Sequence, residues 1–411
     1  MIPVPEKRIV DFENMGFGMF VHFGLYSQLG MGEWTYHIHK RDMNDYKKLM
    51  DTFTAEDFDA DELVLTAKNA GCKYITLTTR HHEGFSLFDT KGLCDFDAPH
   101  SPAKRDLIRE FVDACNRHGI VPFFYHTTLD WYQPDFNEDF DKYLEYLRKS
   151  VEVLCKNYGK IGGLWFDGNW SKKDADWKED ELYATIRKYQ PDAIIVNNTG
   201  LSARGETGNP EIDSVTFEQG RPTPMNREGM KKYLAAEMCY TLNDHWGIGK
   251  NDFNYKSPKE LIETLCSCRK VGANLLLNIG PTAQGGVDPY QRELMKIVGK
   301  WIDIYGQAIY EGKPHPATCS NEKNFVLKSD RYLYFFIHEL GKKGNKHVTV
   351  GEECDNDFVF NNVSEQIESV EWMDNGEALE FIHSDNVFSL YATGYEYGMS
   401  TCVRVAKAKI K

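Results

Sequence analysis

The chain has 411 residues, 41% hydrophobic and 27% charged, a balance that suits one large soluble domain plus a smaller one. A formal net charge of -14 argues against nucleic acid or an anionic membrane as partner, since both demand basic patches. No apolar stretch approaches the ~18 residues a membrane span needs.

Met1 to Arg8 hold no hydrophobic core followed by a small-residue cleavage site, so a cytoplasmic protein is expected. Hydrophobic periodicity then alternates between two and 3.6 residues. Residues 17–22 read as a strand, 59–70 as a helix, 73–79 as a β-branched strand and 105–118 as a helix. The rhythm continues with strand 120–125, helix 141–157, strand 162–166, helix 179–188 and strand 193–196. Weaker strands follow at 214–217 and 234–240, then helix 258–271 capped by Ser257, strand 274–278 and helix 290–305. Eight strands with interleaved helices predict an α/β fold, a (β/α)8-like barrel, with a missing or distorted helix after strands five and six left open. No GxGxxG follows an early strand, which counts against a doubly wound sheet.

After about Pro314 the pattern changes. Short runs at 324–328, 332–338, 347–350, 358–360, 369–373, 379–382, 387–390 and 400–405 are parted by turn residues such as Asp374-Asn375-Gly376. They predict a small C-terminal antiparallel β-sandwich. The expected division is therefore a barrel over 1–313 and a sandwich over 314–411.

In such a barrel the reactive side chains gather at strand C-termini. Gly162-Gly163-Leu164-Trp165-Phe166-Asp167-Gly168-Asn169-Trp170 is the most informative segment: a buried strand that stops at a carboxylate framed by glycines and tryptophans. Pyranose C–H faces stack on indoles, and a fixed carboxylate can attack an anomeric carbon. His22, the run Arg80-His81-His82-Glu83, Tyr125-His126, Asn197-Asn198, Glu218 and Asn278 all fall at predicted strand ends. Asp130-Trp131 and Asp244-His245-Trp246 lie just beyond two others, and Glu33-Trp34 sits in a Gly-rich loop after strand one.

Plainer readings stand beside these. His81-His82 could ligate a metal if His22 or His126 supplied a third position, although neutral imidazoles, with one donor and one acceptor each, suit sugar hydroxyls better. Asp130-Trp131 could be a cap with a packing aromatic, and Glu237 a buried carboxylate paired with an arginine. Ten cysteines are scattered, and Cys266-Ser267-Cys268 has the wrong spacing for a zinc knuckle or a redox pair, so reduced thiols are expected. The sequons at Asn169, Asn197 and Asn362 then read as chance matches. No cofactor and no metal are expected, and nothing sets an oligomeric state.

Several blocks carry a family resemblance. Gly18-Met19-Phe20-Val21-His22-Phe23-Gly24-Leu25-Tyr26-Ser27, the stretch from Cys72 through Arg80-His81-His82-Glu83-Gly84-Phe85, and Trp165-Phe166-Asp167 resemble the α-L-fucosidases of glycoside hydrolase family 29. So do Glu237-Met238-Cys239 leading to Asn243-Asp244-His245-Trp246-Gly247, then Asn274-Leu275-Leu276-Leu277-Asn278-Ile279-Gly280-Pro281, and Gly306-Gln307-Ala308-Ile309-Tyr310. The matches run in family order over roughly residues 10 to 313.

The resemblance implies a retaining exo-hydrolase that releases terminal α-L-fucose from fucosylated oligosaccharides or glycoconjugates through a covalent glycosyl-enzyme. It makes Asp167 the nucleophile and Glu218, in Thr216-Phe217-Glu218, the acid/base, with Glu237 in reserve. Such a pair needs carboxyls ~5–5.5 Å apart, with Glu218 protonated near neutral pH beside a negative Asp167. His22, Glu33, Trp34, His81 and His82 would hold hydroxyls, Tyr125 and Trp165 would flank the nucleophile, and Phe20 and Trp246 would take the C5-methyl. Where some relatives place an arginine after strand five, this chain has Val196-Asn197-Asn198-Thr199, so that contact is lost or comes from Arg204 or Arg221. The stretch 200–210 reads as a mobile loop shaping the outer subsite. A different retaining glycosidase, such as an α-galactosidase, and a catalytically silent fucose-binding protein are the competing classes.

Overall fold

Eight buried, largely β-branched and aromatic segments pair side by side in parallel because each is apolar on both faces. In the computed structural model, which describes residues 1–198, 208–343 and 356–411, they close into a barrel in sequence order. The strands are β1 (Phe17–Val21), β2 (Tyr74–Arg80), β3 (Val121–Thr127), β4 (Gly163–Asp167), β5 (Ile194–Asn198), β6 (Ser214–Glu218), β7 (Ala235–Thr241) and β8 (Asn274–Ile279). Phe20 pairs with Thr76 of β2 on one side and Asn278 of β8 on the other, which closes the ring.

Helices Ala60–Asn69, Leu107–His118, Phe140–Asn157 and Glu179–Tyr189 follow the first four strands, and Pro258–Lys270 and Pro289–Glu311 follow the last two. Asp59, Asp106, Asp139 and Ser257 each accept from a backbone N–H in the first turn of the helix they begin. Among the described residues no helix separates β5 from β6 or β6 from β7, the gap left open by the sequence. No described helix is long and apolar enough to cross a membrane.

The barrel interior is filled from below. Helix Lys7–Met15 inserts Ile9 and Phe12 into a cluster with Tyr74, Phe123, Ile194 and Ala235 near the strand starts. Above them lie Phe20, Tyr125, Trp165, Val196, Cys239 and Leu276. Rings this large need room: a methyl at Gly162 or Gly163 would collide with Phe123, and one at Gly18 with Tyr74. The bottom is thereby plugged, and the strand C-termini form the mouth.

The chain divides into two compact units, Met1–Lys256 with Asn274–Lys296, and Ser257–Ala273 with Ile297–Lys411. The second carries β9 (Lys313–Pro314), β10 (Thr318–Cys319), β11 (Phe325–Lys328), β12 (Tyr332–His338), β13 (Asp357–Asn361), β14 (Ile367–Trp372), β15 (Phe381–Ser384), β16 (Val387–Tyr391) and β17 (Val403–Ile410). They form antiparallel sheets of order β10-β13-β16-β15 and β14-β17-β12-β11-β9. Phe335 of the larger sheet stacks on Phe388 of the smaller at 4.7 Å and meets Phe360 edge-on at 4.9 Å, the contact of a two-layer sandwich. The strand expected at 347–350 lies outside the described residues.

The weakest seam of the barrel is β5–β6, where only Val196 and Ser214 pair. Asp213, fully buried just before β6, bridges it. Its carboxylate accepts the backbone N–H of Ile195 at 3.0 Å and meets Arg8 at 3.0 Å, Arg187 at 2.8 Å and Lys232 at 2.7 Å. Burial alone would raise its pKa, but the Arg8 hydrogen bond and the charges of Lys232 and Arg187 outweigh that and hold it below the usual carboxylate range. This stabilisation is complete above the ordinary carboxylate pKa and is lost as pH falls through the depressed native value. Asp213→Asn, which leaves three cations around a neutral group, should destabilise by ~3–5 kcal/mol in urea unfolding; a loss under ~1 kcal/mol would mean the seam does not rest on this carboxylate.

Candidate active site

β4 ends on Asp167, and Gly168 follows at φ +125°, a left-handed value that a side chain would resist; a methyl there would also strike Leu129. This sharp exit turns Trp170 back over the strand end. The Trp170 indole N–H donates to Asp167 Oδ1 at 2.8 Å, and Asn198 Nδ2 reaches the same oxygen at 3.3 Å. On Oδ2, Tyr125 donates at 3.1 Å and His82 Nε2 lies at 3.4 Å. Burial works to raise this carboxyl's pKa, but His82, Trp170 and Tyr125 together bring it below its ordinary value, so Asp167 is ionised at neutral pH.

Asp167 faces a cavity of about 130 Å³ at the barrel mouth. That is well below the ~300–1,000 Å³ typical of drug-sized ligands and suits one small ring. Phe20, His22, Trp34, His81, Tyr125, Trp165, Glu218 and Trp246, all named from sequence, line it with Asp167. Glu33 and His82 stand one layer back. Glu33 is buried and its Oε2 accepts the backbone N–H of Trp246 at 3.1 Å and of Gly247 at 2.8 Å, so it fixes the loop that carries Trp246. His82 reaches the Asp167 carboxylate, with Thr127 Oγ1 2.7 Å from its Nδ1.

The aromatic walls pack against one another. Trp165 stacks on Tyr125 at 5.7 Å, and Phe20 meets Trp165 and Trp246 edge-on at 5.3 and 5.9 Å. Trp34 stacks on Trp170 at 5.8 Å across the mouth. His22 donates from Nδ1 to Asn278 Oδ1 at 2.6 Å, and Asn278 Nδ2 donates to the Trp246 carbonyl, which fixes the amide's orientation. Burial depresses the His22 pKa to about 3. The ring is therefore neutral, and its Nε2 is an acceptor.

Across the cavity Glu218 ends β6. Asn198 Nδ2, 3.3 Å from Asp167 Oδ1, is also 2.7 Å from Glu218 Oε2, so the two oxygens lie within about 6 Å of one another, the sum of those contacts. Glu237 is one layer lower, fully buried, accepting from the Tyr74 phenol and, at 3.0 Å, from the Trp165 indole N–H. Burial raises its pKa to about 7. Its partners are a phenol and an indole rather than the arginine considered from sequence.

Three lining residues were not singled out as site residues from sequence: Trp170, Asn198 and Cys239. The signal was present for two of them, since Trp170 closes the motif around Asp167 and Asn198 ends strand five. Arg221 is exposed and does not line the cavity, while Arg204 and most of the 200–210 stretch lie outside the described residues. His126 turns away toward Thr79 and Ser150, and the described residues contain no cluster of three metal-ligating side chains. Asp130 caps the turn at Tyr132 and Gln133. Asn169 and Asn197 are buried and bonded to Glu179, which leaves neither amide open to glycosylation in the folded chain.

The family model described as alpha-L-fucosidase matches residues 6–307. The chain belongs to the α-L-fucosidase family. It is 30% identical to the tissue alpha-L-fucosidase of Mus musculus over 342 residues, 77% of this chain and 74% of that fucosidase. A fucosidase structure, alpha-L-fucosidase isoenzyme 1 from Paenibacillus thiaminolyticus, matches with a TM-score of 0.86 at 29% identity, covering 98% of this chain and 99% of its own. A trapped covalent intermediate of a Bacteroides thetaiotaomicron fucosidase with 2-fluoro-fucosyl fluoride shares the fold, with a TM-score of 0.82 at 23% identity over 100% of this chain and 98% of that one.

A carboxylate must be ionised to act as a nucleophile. Trp170→Phe removes one donor from Asp167 and should raise the pH at which kcat/KM on an aryl α-L-fucoside falls by about one unit, ~1.4 kcal/mol. An acid limb that stays in place would mean the remaining donors suffice.

Proposed function

We propose that this chain is a retaining exo-hydrolase of terminal α-L-fucose, with Asp167 as nucleophile and Glu218 as acid/base. The observation that carries the reading is the single Asn198 amide shared by the two carboxyl groups, which holds their oxygens within about 6 Å. Retaining glycosidases need ~5–5.5 Å, whereas inverting ones keep ~6.5–9.5 Å to admit a water between the sugar and the base. The Bacteroides fucosidase trapped as a covalent intermediate supports the same double displacement.

Asp167 attacks the anomeric carbon while Glu218 gives its proton to the departing oxygen. Glu218 then takes a proton from the water that cleaves the glycosyl ester. Two neighbouring carboxyls resist ionising together, which favours one charged and one protonated partner. Phe20 and Trp246 give the C5-methyl an apolar notch, worth only ~1–3 kcal/mol in discrimination, so hydroxyl contacts from His22 and His81 must supply the rest. A plugged barrel and a one-ring cavity favour release of a terminal sugar over cleavage within a chain.

We also infer a reducing compartment such as the cytoplasm. Nine cysteines among the described residues are free thiols, which supports that reading.

The test is azide rescue on an aryl α-L-fucoside. Asp167→Gly and Glu218→Ala should each lose at least ~10³-fold in hydrolysis of a poor-leaving-group fucoside, with azide giving the β-azide from the first and the α-azide from the second. Near-normal turnover by Glu218→Ala would move the acid/base elsewhere. Fucose binding without release by the unmutated chain would favour the silent binding protein.

A further inference from the structure

His81 lines the cavity with one edge and faces the protein with the other. Its ring is clamped, stacked on Tyr125 at 5.5 Å and flanked by Tyr26, His22 and His82 at 5.5, 5.6 and 4.2 Å. Nδ1 is sealed from solvent without a hydrogen-bond partner, which leaves Nε2 for the cavity. Opposite Nδ1, at 3.5 Å, is Glu83 Oε2. Glu83 is fully buried, and no side chain donates to either of its oxygens; its polar neighbours are the backbone N–H groups of Glu83 itself and Leu25. The mechanism gives it no part.

We propose that Glu83 is a positioning residue that sets which nitrogen of His81 carries the proton, and thereby whether His81 donates to or accepts from a sugar hydroxyl. The inference deepens the glycone-site reading above and rests on it. A protonated Glu83 donates its O–H to Nδ1, which obliges Nε2 to keep its hydrogen and donate into the cavity. An ionised Glu83 accepts from Nδ1–H, and Nε2 becomes an acceptor. His22 has no such choice, because the Asn278 amide oxygen only accepts and fixes its Nε2 as an acceptor.

The surroundings favour the protonated form at neutral pH. Burial comes first and pushes Glu83 up to about 8; the backbone N–H groups of Glu83 and Leu25 pull the other way, and Asp130 and Glu33 add repulsion. The phenols of Tyr26, Tyr46 and Tyr125 lie close enough to feel its charge and offer no cation. Gly24 lets the backbone pack directly against this carboxyl, since a methyl there would meet Glu83 Oε1 and the Tyr26 ring. His81 itself is held neutral by burial, with His82 and His22 adding to the effect. One donor and one acceptor then face the ligand side by side, which suits two adjacent hydroxyls that each give one hydrogen bond and take another.

The experiment is ¹⁵N histidine NMR on the ligand-free full chain, with the His81 signals assigned through His81→Gln. The unmutated chain should show the Nε2–H tautomer at neutral pH and pass to Nδ1–H as pH rises through about 8. Glu83→Gln, whose amide can still donate to Nδ1 but cannot ionise, should hold Nε2–H throughout. In parallel, the affinity for L-fucose should weaken ~10-fold over the same rise in the unmutated chain and stay flat in Glu83→Gln. A single His81 tautomer across that range in the unmutated chain overturns the proposal, even if Glu83→Gln does not fold. A tautomer change without a change in fucose affinity overturns its bearing on recognition. If L-fucose does not bind at any pH, the glycone reading fails, and the tautomer measurement still decides what Glu83 does to His81.

Discussion

One requirement governs this molecule: a carboxylate must stay charged at the mouth of a barrel lined with aromatic rings. His82, Trp170 and Tyr125 keep Asp167 ionised against its burial, the Asn198 amide meets the same carboxylate, and each arrives from a different segment. His82 follows β2, Tyr125 is on β3, Trp170 follows β4 and Asn198 ends β5. They converge only if the strands are in register, as they are where Tyr125 pairs with Trp165 and Asp167 pairs with Asn198. A one-residue slip in either pairing would turn a donor to the outer face and leave a buried charge short of partners. The barrel's register and the ionisation of Asp167 are thus one constraint.

The interior is organised in layers that serve that mouth. Phe12 plugs the bottom against Tyr74 and Phe123. Above this, Glu237 takes the Tyr74 phenol and the Trp165 indole N–H, so a polar pair is buried without an unpaired donor. The Trp165 ring is thereby fixed as the cavity floor. Glu33 does for the wall what Glu237 does for the floor: by accepting two backbone N–H groups it sets the loop on which Trp246 rides. Neither carboxyl reaches the cavity, yet both determine its shape.

Much of this was legible in the sequence, and the reason is local. Period-two and period-3.6 patterning located all eight barrel strands, including the two weak ones at β6 and β7, and the missing helices showed as a lack of pattern. Asp167 stood out because its glycines and tryptophans are chain neighbours. What stayed hidden depends on partners far along the chain. Glu237 meets Tyr74 across 163 residues and Glu33 meets Gly247 across 214, so no window of sequence could reveal that they are struts. Asn198 looked like the last residue of a strand; its bridging role depends on where β4 and β6 stop on either side of it.

The buried carboxyls together show why composition alone could not assign roles. Desolvation is the leading influence on Asp167, Asp213, Glu33, Glu237 and Glu83, so burial cannot be what separates them. The number and charge of their donors do. Asp213 has three cations and Asp167 has His82, Trp170 and Tyr125, and both titrate below the usual range. Glu33, with two backbone N–H groups from the Trp246 loop on one oxygen, is raised. Glu237, with a phenol and an indole, rises to about 7, and Glu83, with no side-chain donor on either oxygen, to about 8. The same side-chain chemistry yields anions, a loop strut, a floor strut and a carboxyl with a raised pKa, graded by what the fold points at each oxygen.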